Sequence, residues 1–209
     1  CASVVLLGTT NKLCQDVAVI PFLWVLPLSL YLLTFILCFE RAAWYRRKWL
    51  TLLLIPVFVL MSQGAFTGNR PFLWQTVIYC GGLFVSCMVC HGEIYRLRPS
   101  PRYLTLFYLM IAAGGVSGGV FVTIIAPMVF RTYAELNWSL CLLGILVAFI
   151  HAREKTAWAI RNRAWPIWPL LGGGTALLAV LILLQSRESA LGILSMSRNF
   201  YGTLQVEEV

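Results

Sequence analysis

Charge is what this sequence has least of. Only 11% of its 209 residues are Asp, Glu, Lys or Arg, with two histidines besides, where a soluble domain is roughly a quarter charged. With 60% hydrophobic residues and a mean hydropathy of +0.82, that scarcity excludes a soluble globular protein. It also excludes disorder, because a chain this apolar cannot stay solvated. The apolar residues come in long blocks without alternation, which excludes a transmembrane β-barrel. Catalytic patterns are missing as well: there is no Ser/His/Asp constellation, no phosphate loop and no pair of acids at catalytic spacing. Gly172-Gly173-Gly174-Thr175 opens no strand-to-helix turn and has no downstream Lys, so it reads as a small-residue stretch. What remains is an all-α fold, a polytopic transmembrane helical bundle.

Six uncharged stretches supply the spans: Val17–Phe39, Trp49–Asn69, Pro71–Gly92, Tyr103–Phe130, Leu136–Ala152 and Ala164–Ser186. At about 1.5 Å rise per residue each covers, or nearly covers, a hydrocarbon core of about 30 Å. The expected organisation is an N-terminal apolar stump or interfacial segment over 1–16, a six-helix membrane domain over 17–186 and a polar tail over 187–209. Cys1 in place of Met, and the polar end, suggest a processed product or part of something longer. An N-terminal Cys followed by Ala2 and Ser3 also fits what a lipoprotein signal peptidase leaves.

The net charge of +8 and pI near 9.4 would point to nucleic acid in a soluble domain. In a membrane protein the positions of the basic residues carry the information instead, and no nucleic-acid partner is expected. Loop 40–48 holds Arg41, Arg46, Arg47 and Lys48 against Glu40. Loop 93–102 holds Arg96, Arg98 and Arg102 against Glu93, and loop 153–163 holds Arg153, Lys155, Arg161 and Arg163 against Glu154. The intervening loops carry only Arg70, and Arg131 balanced by Glu135. The positive-inside rule makes the three basic loops cytoplasmic and puts both termini on the outer face. Trp44, Tyr45, Trp49, Trp158, Trp165 and Trp168 fall where an interfacial aromatic belt belongs.

Within the spans, Pro21, Pro27, Pro56 and Pro127 remove backbone donors and are expected to kink or end helices. Gly114, Gly115, Gly118 and Gly119 form two small pairs spaced by four, a face suited to close helix packing.

Five of the seven cysteines, Cys38, Cys80, Cys87, Cys90 and Cys141, lie in or at the ends of apolar runs. They act there as small hydrophobes and not as a disulfide framework. Cys87-Met88-Val89-Cys90-His91 matches the C-x-x-C-H pattern of c-type haem attachment. The motif sits inside an apolar helix, at the inner end of its span, whereas covalent haem is attached on the outer face, so a packed helix end is the preferred reading. His91 and His151 both fall at cytoplasmic helix ends, where a b-type haem or a metal is the sharper reading and two water-facing histidines the plainer one. No cofactor is expected in this chain. Asp16 and Glu93 stand at span ends and read as solvated or capping acids; no carboxylate lies mid-span, which argues against a proton-coupled pump.

Several segments carry a likeness. The run from Thr10 to Phe35, with Asp16, Pro21, Trp24 and Pro27, resembles the membrane region of bacterial fused spermidine-synthase-like proteins, in which a major-facilitator-like domain is joined to an aminopropyltransferase-like one. Cys87 to Pro99, with His91, Glu93 and Arg96, and Leu104 through the glycines to Pro127, are similar to the same family. The tail from Ser197 to Glu208 resembles the segment leading into the first strands of the synthase-like domain. The resemblance covers most of the chain and implies a bacterial inner-membrane, multi-pass protein. The glycine-rich cofactor loop and amine-holding acids of such enzymes would lie beyond Val209, so no catalytic residue is carried over. Three readings follow: a non-catalytic anchor or assembly module packing against lipids and other helices or subunits, half of a major-facilitator-like transporter for a polyamine or other small amine, or an enzyme whose catalytic domain lies elsewhere.

Overall fold

The computed structural model describes residues 1–16, 22–41, 44–63, 72–129, 135–158, 173, 193–199 and 202–207. Helices dominate: α1 (Ala2–Asp16), α2 (Phe22–Glu40), α3 (Arg47–Gln63), α4 (Phe72–Arg96), α5 (Leu104–Val120), α6 (Ala126–Val129) and α7 (Glu135–Trp158). Near the C-terminus β1 (Ile193–Asn199) pairs antiparallel with β2 (Gly202–Glu207). Ile193 faces Glu207 while Ser195 faces Val206, so β1 takes two steps where β2 takes one, a bulge. This hairpin lies within the expected polar tail.

Among the described residues three segments are long and apolar enough to cross a membrane, Leu23–Glu40, Leu73–Arg96 and Pro101–Val129. The expected second and fifth spans are shorter apolar helices, Trp49–Met61 and Glu135–Ile150. The expected sixth span, apart from helical Gly173, lies outside the described residues.

α4 is central because it is enclosed. From Val85 through Glu93 every residue is buried, since α1, α2 and α3 all pack on it. α1 takes a place that the sequence did not suggest. It is a helix wedged among α2, α4, α5 and α7, with Val5, Thr9 and Leu13 wholly inaccessible. Two glycines permit that approach. A Cβ on Gly8 would sit 3.1 Å from the Leu136 Cα at the start of α7, and one on Gly118 of α5 would sit 3.0 Å from the Ser3 Cβ.

The prolines behave differently from expectation. Pro27 and Pro56 lie inside continuous helices and end neither, as membrane-type helices tolerate when neighbours and side chains re-satisfy the freed groups. Before Pro127 the chain widens into a π-helical turn, Phe121–Ile125, whose closing Ala126 N–H reaches the Phe121 carbonyl. That widening precedes the residue that has no N–H of its own to offer. Pro21 lies outside the described residues. Hydroxyls within the apolar helices turn back on the backbone: Ser29 donates to Val25, Ser117 to Ala113 and Thr123 to Gly119, each at 2.8 Å.

Candidate functional site at one end of the bundle

A cluster of charged and polar side chains forms where α2 ends, α3 begins and α4 ends. Glu93 is only 6% exposed. Its Oε1 accepts from the Tyr45 hydroxyl at 2.6 Å and pairs with the Arg47 Nε at 2.8 Å and the Arg96 Nη1 at 3.5 Å. Tyr45 lies in the loop between α2 and α3, Arg47 opens α3, and Arg96 stands one turn beyond Glu93 on α4. Gly92 makes the contact possible, because a Cβ there would run into the Tyr45 ring. Burial first, and then the hydrogen bond to Glu93, push the Tyr45 phenol well above its ordinary range. The expectation of a solvated or capping Glu93 is therefore corrected: two guanidiniums and a phenol replace water around it, brought there by the fold of the loop over the end of α4.

His91, two residues earlier on α4, is 2% exposed, so it is not a water-facing histidine. Its Nδ1 lies 3.1 Å from the Thr34 Oγ1, and Thr34 gives its single proton to the Tyr31 carbonyl at 2.7 Å. With that proton so directed, the hydroxyl oxygen is placed to accept from an Nδ1–H. The edges of Tyr31 and Phe35 meet the imidazole with ring centroids 4.8 and 5.3 Å away. All these neighbours come from α2. His151 is in α7, with its side chain outside the described residues.

Beside His91 the sulfurs are packed and reduced. Cys38 Sγ lies 3.6 Å from the Met88 carbonyl oxygen and 3.7 Å from the Met88 Sδ. Cys87 and Cys90 are free thiols and buried. Among the described residues no group of three or more His, Cys, Asp or Glu is placed to hold a metal ion. The C-x-x-C-H run is one stretch of an unbroken helix.

The remaining candidates scatter. Gly118 is buried against Ser3 and Val4, and a Cβ on Gly115 would lie 3.8 Å from the Ser3 Oγ, but one on Gly114 or Gly119 would meet nothing within 4 Å. The face that α1 uses thus runs through positions 115 and 118, three apart, and not through the pairs spaced by four. Trp24 is exposed and Pro27 buried. Asp16 closes α1, with its side chain outside the described residues.

Sequence reasoning missed Tyr45, Arg47, Thr34, Tyr31 and Phe35 as partners of the α4 end. Tyr45 and Arg47 read as an aromatic-belt residue and an orientation charge. The one local signal was the spacing of Glu93 and Arg96, three apart on a helix. Comparison with family models, characterised proteins and solved structures finds no match to this chain.

Proposed function

We propose that this chain is a membrane-embedded anchor or assembly module, of the kind that precedes a spermidine-synthase-like domain in fused bacterial membrane proteins, and not itself catalytic. One observation carries the reading. The helical stretch Pro101–Val129 is the longest and most apolar of the three candidate spans, yet only 11% of it is buried. Leu106, Leu109, Met110, Val116, Ile124 and Met128 are all exposed along it, a surface that only lipid or other apolar helices can cover at low cost. The polar junction supports the same reading. Glu93 is held by Tyr45, Arg47 and Arg96 and serves to fix one loop to one helix end, which suits a rigid scaffold. With six spans, cytoplasmic basic loops and outer termini, the module would present its tail on the outer face.

The alternative, half of a major-facilitator-like transporter for a polyamine or other small amine, requires acids or aromatics lining a central path. Two measurements separate the readings. Membranes from cells expressing the chain are extracted with alkaline carbonate, and the purified chain is reconstituted for uptake of radiolabelled spermidine. The anchor reading expects retention in the membrane and no uptake above empty vesicles. Saturable uptake would replace it with the transporter, and extraction into the supernatant would remove both.

A further inference from the structure

The end of the bundle that carries Glu93 also carries more positive charge than its own acids neutralise. Tyr45 and Arg47 bond to Glu93, and the Phe39 ring meets Tyr95 and Tyr108 with centroids 5.5 and 6.4 Å away. The loop after α2 and the loop after α4 therefore share one face. On it Arg41, Arg46, Arg98 and Arg102 are all exposed. Among the described residues Arg41, Arg46 and Arg98 have no ion pair, while Arg102 stands over the Tyr103 ring at 5.8 Å. The acids here are Glu93, already engaged by Arg47 and Arg96, and exposed Glu40. In the same loops and helix starts, Trp44, Trp49 and Tyr103 are 58%, 70% and 53% exposed, side chains whose apolar body and polar tip suit the headgroup layer of a bilayer.

We infer that this face is a binding site for anionic phospholipid headgroups, in which the guanidiniums of Arg41, Arg46, Arg98 and Arg102 take the phosphate oxygens and Trp44 and Trp49 seat the glycerol and upper acyl region. The buried Glu93 cluster is what makes the site specific. It spends the local carboxylate on Arg47 and Arg96 inside the fold, and so leaves the outer arginines to an external anion. Guanidinium is the cation best matched to phosphate because its planar fork donates two parallel hydrogen bonds. A phosphate at the membrane surface, and not a free anion, fits the exposed tryptophans beside it. The inference rests on the membrane reading above.

The test uses the full chain reconstituted in phosphatidylcholine bilayers with trace spin-labelled phosphatidylglycerol or spin-labelled phosphatidylcholine. The motionally restricted fraction of each probe gives their relative association. We expect phosphatidylglycerol to be favoured by at least about fivefold, the contribution of one well-placed cation at an anionic surface. The preference should shrink in high salt as the Debye length falls to about 3 Å. It should collapse to near parity in a variant carrying Arg41→Gln, Arg46→Gln, Arg98→Gln and Arg102→Gln, with folding checked by an unchanged melting temperature in neutral detergent. If that variant fails to fold, the wild-type comparison of the neutral and anionic spin-labelled probes at low and high salt still decides. Parity in the wild type, or a preference unmoved by salt or by the four substitutions, overturns the inference. So does loss of the preference on adding inorganic phosphate at an ionic strength matched with chloride, which would make a soluble anion the ligand. A chain retained after carbonate extraction that shows no lipid preference loses only this inference; a chain that is extracted loses the membrane reading itself.

Discussion

Replacing Glu93 by glutamine is the sharpest perturbation of the polar junction. The substitution keeps the volume and one oxygen for Tyr45, but removes the charge that Arg47 and Arg96 face at 2.8 and 3.5 Å. Removing one partner of a buried ion pair costs about 3–5 kcal/mol, because the other charge is stranded. Here the loss is smaller. The Arg47 side chain is 18% exposed and that of Arg96 42%, so water recovers part of both, and the retained oxygen keeps the phenol partnered. About 2–3 kcal/mol is the expected cost. For a chain of this size each kcal/mol moves the melting temperature by about 2–4 °C, so Glu93→Gln should melt roughly 4–12 °C lower than the wild type. The protein carries its own reporter: Cys38, Cys87 and Cys90 are free and 1%, 0% and 7% exposed, so a thiol-reactive fluorophore added during heating lights up as the bundle opens. The double variant Glu93→Gln with Arg47→Gln should be more stable than the two single losses sum to, with a coupling of about 1 kcal/mol or more. A single-variant shift within about 1 °C, below what even 1 kcal/mol produces, or a coupling of zero, would refute the claim that this carboxylate locks the loop to the helix.

Two further outcomes follow from the same geometry. Gly8→Ala puts a Cβ 3.1 Å from the backbone of Leu136, which cannot rotate away, and should cost about 1–3 kcal/mol as overpacking does; Gly114→Ala meets nothing within 4 Å and should be neutral or slightly stabilising in the same thiol assay. Tyr45 sets an alkaline limit. Its phenol is held protonated in the folded chain by burial and by Glu93, so its contribution to stability is complete below the unfolded tyrosine pKa of about 10 and is lost as pH rises above it, when the unfolded state gains by ionising. Melting followed by circular dichroism from about pH 9 to 11.5 should show a steeper alkaline decline in the wild type than in Tyr45→Phe, and equal slopes would count against it.

How much of this was legible in the sequence depends on the range of the interaction. Helices over the first five hydrophobic blocks follow from length and apolarity alone, and three of them have spanning length. The pairing of Glu93 with Arg47, 46 positions away along the chain, follows only once α3 and α4 are packed. Position along a span was a poor guide to burial at α4, where His91 and Glu93 stand near a helix end yet lie inside, because α2 side chains enclose the first and the loop carrying Tyr45 folds over the second. The glycines illustrate the same limit. Four small residues announce that something packs closely, but only the orientation of α1 decides that Gly115 and Gly118 are used while Gly114 and Gly119 stay open.

Hydropathy alone does not give the placement of α1. Its sequence includes Thr9, Thr10, Asn11 and Lys12, too polar and too short to stand against lipid, and on those grounds it reads as peripheral. A bundle surrounded by hydrocarbon reverses that logic, because its outer surface must be the most apolar and its interior can hold polar groups that neighbouring helices shield. The Thr10 hydroxyl donates to the Leu6 carbonyl at 2.8 Å, and Thr9 is wholly inaccessible. The contrast runs across the bundle: α1 is polar and enclosed, whereas the stretch Pro101–Val129 is the most apolar and only 11% buried. A polar helix enclosed behind so apolar a surface has no advantage in water. It is the arrangement expected of helices whose solvent is lipid, and it supports the membrane reading independently of any count of hydrophobic residues.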